Sequence, residues 1–96
     1  MPKGYWVTWY HSDVDPTVHP KYAELAGKAI ASFGGRFLAR GMPMATYEGG
    51  IGHRCVVIEF NSIADATAAY ESAAYREALD VLGDTVRREI RIVEGQ

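Results

Sequence analysis

The stretch Phe33-Gly34-Gly35-Arg36-Phe37-Leu38-Ala39-Arg40-Gly41 decides the fold. Upstream of it, Tyr22, Leu25, Ala26, Ala29, Ile30 and Phe33 recur at the i, i+3, i+4, i+7 spacing of a helix with one buried stripe. Gly34 suits the left-handed position just past a helix, where any other residue would carry a Cβ penalty. From Arg36 to Arg40 the pattern becomes that of a strand. Strict alternation points Phe37 and Ala39 one way and Arg36, Leu38 and Arg40 the other. A helix end, a sharp turn and a strand therefore fall within nine residues.

Working outward, Tyr5 to His11 is rich in aromatic and β-branched residues and reads as a first strand. Tyr5, Val7, Trp9 and His11 share one face; Trp6, Thr8 and Tyr10 share the other. Both faces carry large rings, so both are expected to be covered. Asp15-Pro16 reads as a helix start, with Asp15 as N-cap. Pro20 then implies an irregular beginning or a restart, because an interior proline forfeits a backbone hydrogen bond. Gly41 to Gly52 is a glycine-rich loop, and Arg54 to Phe60 the clearest strand. Ser62 and Asp65 form a weak capping box for a helix whose core side would use Ile63, Ala66, Ala69, Tyr70 and Ala73. A further helical stretch, Tyr75 to Leu82, ends at Gly83, and Arg87 to Val93 alternates as a last strand.

The order is strand, helix, strand, strand, helix, strand. That is the split βαβ, ferredoxin-like α+β arrangement with a four-stranded antiparallel sheet. One sheet face lies under the helices, and the aromatic load on the first strand suggests that a second subunit covers the other. The 96 residues suffice for a single domain, 1–96. There are no internal repeats and no linker.

Composition removes several function classes. The formal net charge of −2 is not a nucleic-acid footprint. The third strand also lacks the rings with which an RNA-recognition domain of the same element order stacks bases. One cysteine, Cys55, cannot form an internal disulfide and fits a reducing compartment. Nowhere do about 18 apolar residues run together, as a membrane span would need. The start, Met1-Pro2-Lys3-Gly4-Tyr5-Trp6, shows no apolar h-region. The expectation is a cytoplasmic protein. No Cys-x-x-Cys and no phosphate-cradling G-x-x-x-x-G-K-[ST] run is present.

The opening stretch also carries a resemblance. Phe33 to Gly41 resembles the "YGGRFLARGG" signature of a family of small bacterial proteins, domain of unknown function 1330. Arg54-Cys55-Val56-Val57-Ile58-Glu59-Phe60 is similar to that family's "R-x-VVIEF" strand, and Tyr70-Glu71-Ser72-Ala73-Ala74-Tyr75 to its "WY-x-S-x-EY" helix junction. Gly4-Tyr5-Trp6 and Ile92-Val93-Glu94-Gly95 look like the family's ends. The resemblance implies a ferredoxin-like domain pairing sheet to sheet as a homodimer, a dimeric α/β barrel. It implies no activity, because the family is uncharacterised. The wider superfamily includes cofactorless monooxygenases, haem-degrading enzymes and lactone isomerases, which is fold-level analogy only. This chain departs from the signatures at Phe33, Ala69 and Ala74, where the family has Tyr, Trp and Glu.

Candidate sites follow from placement. Counting back from the hairpin loop sets Arg36 opposite Glu59; a carboxylate in an apolar run needs a partner, so a structural ion pair is expected. An anchor for a substrate carboxylate is the sharper reading. Arg40, near the closed end of the strand, is a candidate for a bidentate contact with an anionic ligand; the plainer reading is a solvated strand end or a pair with Glu48. His11 ends the first strand and His53 begins the third, so the two imidazoles are expected close together. They are the candidate general bases, or, with Glu48 or Asp13, candidate metal ligands. Neither belongs to a recognised metal motif, and no metal or other cofactor is assigned. His19 reads as a solvated residue of the first helical turn. Tyr5, Trp6, Trp9, Tyr10, Tyr47, Tyr70 and Tyr75 serve packing, or else line a cavity for an aromatic ligand, with Tyr10, Tyr47 and Glu48 joining Arg40 as ligand contacts. Cys55 packs as a small apolar residue.

Two functional classes stay open. One is a cofactorless enzyme or binder of a small aromatic or carboxylate-bearing molecule, with a cavity lined by Arg40, His53 and tyrosines. The other is a non-catalytic dimeric structural or interaction module whose cavity is filled by side chains. In both, the partner is a second copy of the chain.

Overall fold

A computed structural model describes residues 2–96. The elements are β1 (Gly4–Tyr10), α1 (His19–Ser32), β2 (Arg36–Gly41), β3 (Cys55–Phe60), α2 (Ile63–Glu71), α3 (Ala73–Leu82) and β4 (Arg88–Glu94). The strands form one antiparallel sheet in the order β2-β3-β1-β4. The α+β ferredoxin-like arrangement is therefore present, with one more helix than the minimal motif.

Local chemistry explains the boundaries. Asp15 accepts hydrogen bonds from the backbone N–H and hydroxyl of Thr17. It organises a turn at residues 15–18 and is not the helix N-cap. Helix α1 starts after Val18, which gives no side-chain cap, and Pro20 sits in its first turn, where no N–H is lost. At the other end Gly34 adopts φ +82°, and Gly35 N–H donates to Ile30 O at 3.0 Å. Ser72 separates α2 from α3 with extended backbone, and its hydroxyl accepts from Tyr75 N–H as the cap of α3. Ser62 caps α2 through Asp65 N–H.

The core lies between the helices and one face of the sheet. From β1 it takes Trp6, Thr8 and Tyr10; from β3, Val56, Ile58 and Phe60; from α1, Tyr22, Ala26, Ala29 and Ile30. Helix α2 contributes only Ala66 and Ala69, while α3 supplies Tyr75, Ala78 and Leu82. The wider stripe expected for α2 is not buried: Ile63, Tyr70 and Ala73 are exposed. Burying a ring such as Phe60, fully inaccessible here, stabilises by about 1.5–3 kcal/mol.

The other sheet face is open. Tyr5 and Val7 are half-buried and Trp9 is 47% exposed, so β1 is not covered on both sides within one chain. Strand β2 departs from strict alternation. Phe37 pairs with Ile58, but Ala39 pairs with Val57 and Arg40 with Val56, so Leu38 is bulged out. The bulge turns Arg40 to the same side as Phe37, over whose ring its guanidinium lies at 4.5 Å. Arg36 and Arg40 thus serve opposite faces of the sheet.

Candidate functional site

A small cavity of about 40 Å³ sits between α1 and the helix-facing side of the sheet. Thr8 and Tyr10 reach it from β1, His19 and Tyr22 from α1, Arg40 from β2, Arg54 from the residue before β3, and Arg88 from β4. Its position follows from the register. Tyr10 pairs with Arg88 across β1 and β4, and Tyr10 N–H donates to Arg54 O at 3.0 Å, so both arginines flank one tyrosine.

Arg88 organises the floor. It donates from Nη1 to Tyr22 Oη at 2.9 Å and from Nη2 to Tyr75 Oη at 3.0 Å, with a longer contact to Tyr10 Oη at 3.4 Å. The Tyr22 and Tyr75 hydroxyls bond each other at 2.6 Å. Burial opposes the charge on Arg88, but the surrounding hydroxyls of Tyr22, Tyr75 and Tyr10 outweigh it, and its pKa is raised. Burial, reinforced by Tyr22, pushes the Tyr75 hydroxyl far above its ordinary value, and burial raises Tyr10 as well. At neutral pH the Arg88 guanidinium is held by the protonated phenols of Tyr10 and Tyr75, with the Tyr22 hydroxyl as its third partner.

The site has more donors than acceptors. Arg54 Nε is buried without a partner among the described residues. Of the two protons on Tyr22 and Tyr75, one serves the bond between them and the other has no acceptor among the described residues. Tyr10 accepts from Arg88, and Thr8 accepts from Trp6 Nε1 at 2.9 Å; neither hydroxyl proton finds an acceptor. No carboxylate lines the cavity, and none pairs with Arg40, Arg54 or Arg88 among the described residues. A buried donor without an acceptor costs about 1–3 kcal/mol. The arrangement is complementary to an anion with several acceptor lone pairs.

The structure distributes the residues singled out from sequence differently. Arg40 and Tyr10 line the cavity, whereas Tyr47 (81% exposed) and Glu48 stay on the outer loop. Arg36 Nη2 lies 2.8 Å from Glu59 Oε1 on the open sheet face, and Tyr5 donates to the same carboxylate at 2.9 Å. The Arg36 and Tyr5 hydrogen bonds hold the Glu59 carboxyl below the usual range. His11 and His53 do not share a site. His11 turns to Glu89 at 3.2 Å and His53 to Asp13 at 3.3 Å. Among the described residues no group of His, Cys, Asp and Glu is arranged to hold a metal.

His19 is not a solvated helix-start residue. Its ring packs against Tyr10 and Tyr22 with centroids at 6.2 and 5.8 Å, and its Nδ1 is buried without a partner. Burial, then Arg54, Arg88 and Arg40, lower its pKa below the ordinary 6.5. Sequence reasoning did not single out His19, Arg54 and Arg88. The only available signal was an arginine at the entrance to each of two strands, Arg54 and Arg88, neither matched by a nearby acid on its own strand face. A second depression, about 980 Å³, is an open groove between α3 and β4 lined by Leu79, Leu82, Val86 and Ile90. Neither unpartnered buried atom faces it.

The family model for domain of unknown function 1330 matches residues 3–96. The chain belongs to that family. Its fold recurs in solved structures at low identity. A protein of unknown function from Rhodopseudomonas palustris superposes with a TM-score of 0.73 at 13% identity, covering 99% of this chain and 83% of that one. A dimeric ferredoxin-like protein of unknown function from Thermobifida fusca gives 0.53 at 15% identity, covering 97% and 91%. A proposed antibiotic biosynthesis monooxygenase from Nitrosomonas europaea gives 0.57 at 17%, covering 98% and 89%. Among curated proteins none matches. At these identities the likeness shows the fold of this DUF1330 protein and no specific function. Among its described residues no helix is long and apolar enough to cross a membrane.

Proposed function

We propose that this DUF1330 protein binds a small carboxylate-bearing molecule in the cavity between α1 and the sheet. The observation that carries the reading is the donor excess: Arg40, Arg54 and Arg88 and the hydroxyl-bearing residues Thr8, Tyr10 and Tyr22 line one cavity to which no carboxylate contributes. The cavity volume of about 40 Å³ suits a carboxylate head group or a few waters, at about 10–15 Å³ per water. It is far below the roughly 300–1,000 Å³ of a whole-ligand pocket. The remainder of the ligand extends through the mouth beside Phe37 and Arg40, where a ring would stack and a second anionic group would find a guanidinium.

The working unit is a homodimer that joins open sheet faces. Val7 and Val57 are paired neighbours at the centre of that face, flanked by Trp9 and Val93. The Arg36–Glu59 and Arg91–Glu89 pairs lie toward its sides and are already satisfied internally. Dimeric proteins of the same fold from Thermobifida fusca and Bacteroides fragilis support this reading. The half-buried thiol of Cys55 suits a reducing, cytoplasmic setting.

Calorimetric titration of the purified protein with benzoate, phenylpyruvate, pyruvate and uncharged amide analogues tests the binding. Saturable binding of the acids and none of the amides is expected. Equal binding of acid and amide would remove the electrostatic basis of the proposal.

A further inference from the structure

We propose that His19 is a general base and that the molecule it acts on is a 2-oxo acid, enolised at the carbon next to the oxo group. This rests on the carboxylate reading above and adds a reaction to it.

The argument starts from what each group around the cavity can do. A guanidinium has donors and no acceptor, and burial raises the Tyr10 and Tyr75 phenols, which stay protonated at neutral pH. The imidazole of His19 is the one side chain lining the cavity that can take a proton there. Its Nδ1 is buried and makes no hydrogen bond among the described residues. Its Nε2 is not among the buried unpartnered atoms and likewise has no hydrogen-bond partner among the described residues, so Nε2 is the nitrogen left to meet a ligand. The other two histidines differ in this respect, because each is bound to a carboxylate.

The surroundings favour the neutral ring. The groups facing His19 are Tyr10 from β1, Tyr22 from its own helix, Arg40 from β2, Arg54 before β3 and Arg88 from β4. None of them is acidic. Burial and the three guanidiniums together disfavour imidazolium. The Tyr10 and Tyr22 rings pack against the imidazole, with centroids at 6.2 and 5.8 Å.

A base beside a donor-rich, cationic pocket is the pairing that carbon-acid chemistry requires. With the carboxylate held among the arginines that line the cavity and the rest of the molecule toward the mouth, His19 Nε2 removes a proton from C3 of the 2-oxo acid. The C–H electron pair forms the C2–C3 double bond, and the carbonyl electrons move onto the C2 oxygen. That oxyanion is met by the unused hydroxyl protons and Arg88. The imidazolium then returns a proton, to carbon in an exchange or to oxygen in an enol. No oxidant, metal or second substrate enters the balance.

The test uses phenylpyruvate and pyruvate in deuterium oxide, with proton NMR following the loss of signal at C3 and calorimetry following binding. Wild-type protein is expected to accelerate exchange over buffer by roughly 10²–10⁴-fold, the range of a positioned base. The rate should rise with pH through one ionisation below 6.5, the ordinary histidine value. His19→Gln should keep its affinity and lose the acceleration. The wild-type pH profile reads the same group if His19→Gln does not fold. Binding without accelerated exchange, or exchange undiminished in folded His19→Gln, overturns the base and leaves the carboxylate site standing. Failure of wild type to bind either acid overturns the carboxylate reading and the base with it.

Discussion

The hydroxyls of Tyr22 and Tyr75 lie 2.6 Å apart at the junction of α1 and α3, and one guanidinium, that of Arg88, binds both. Two helices and the edge strand β4 are thus tied through polar atoms inside an otherwise apolar core. Such a cluster is stable only while all its members are present, because each removal leaves the others unpaired in a low-dielectric setting. Tyr75→Phe deletes one oxygen and keeps the ring that packs the core. It should destabilise the fold by about 1–3 kcal/mol, the cost of leaving buried partners unsatisfied. Urea denaturation reads the loss. Combining it with Arg88→Met should give a strongly non-additive cycle, since the two residues share one network.

Arg54 should behave in the opposite sense. Its buried Nε has no partner, so the empty protein carries a desolvation cost there. Arg54→Met should raise the melting temperature of the ligand-free protein. The same variant should weaken carboxylate binding by about 10–150-fold, equivalent to losing a charged hydrogen bond of about 1.5–3 kcal/mol. A thermal melt and a titration on one sample check both halves. Lower stability together with unchanged affinity would assign Arg54 to structure alone.

The acid response should have two stages. His19 has a lowered pKa in the folded chain, so below 6.5 the unfolded chain takes up a proton that the folded chain resists. Stability from this group is complete above 6.5 and declines as pH falls. Glu59, held down by Arg36 and Tyr5, contributes stability above its ordinary 4.5 and loses it as pH falls through its lowered value. Glu89, held down by His11, follows the same direction. Urea midpoints measured from pH 7.5 downward should show a shallow fall before the steep one. His19→Gln should remove the shallow fall and leave the steep one.

The open sheet face carries the prediction about assembly. Val57 lies at its centre between Val7 and Ala39. Val57→Glu would place an uncompensated carboxylate in the middle of a dry interface, where a buried unpaired charge is strongly unfavourable. Light scattering should report a dimer for wild type and a monomer for the variant. A monomeric wild type at micromolar concentration would refute the sheet-to-sheet homodimer.

Much of the fold was legible because its signals are local. The stripe from Tyr22 to Ile30, the glycine at position 34 and the β-branched run Val56-Val57-Ile58 each report on neighbours a few residues away. Even the meeting of Arg36 and Glu59 followed from counting along a hairpin, because antiparallel register propagates residue by residue. Asp15 misled because its side chain satisfies a turn as readily as a helix N-terminus.

The site was decided by tertiary structure. Period-two alternation set Arg36 and Arg40 on one face; the bulge at Leu38 moved Arg40 to the other, toward the cavity. A single unpaired residue inverts everything beyond it, and nothing in Phe37-Leu38-Ala39 marks where it occurs. His19 looked solvated because it stands in the first turn of a helix, yet its ring packs against Tyr10 and Tyr22 and is half-buried. Arg54 and Arg88 are far apart in the chain and line one cavity only because their strands both pair with β1, on either side of Tyr10. From the Gly34-Gly35 turn the sequence by itself determined where helix gives way to strand, since backbone sterics and side-chain period act locally. Which of the two arginines beyond that turn faces the cavity depended on pairing with a strand about twenty residues away, which only the assembled sheet could settle.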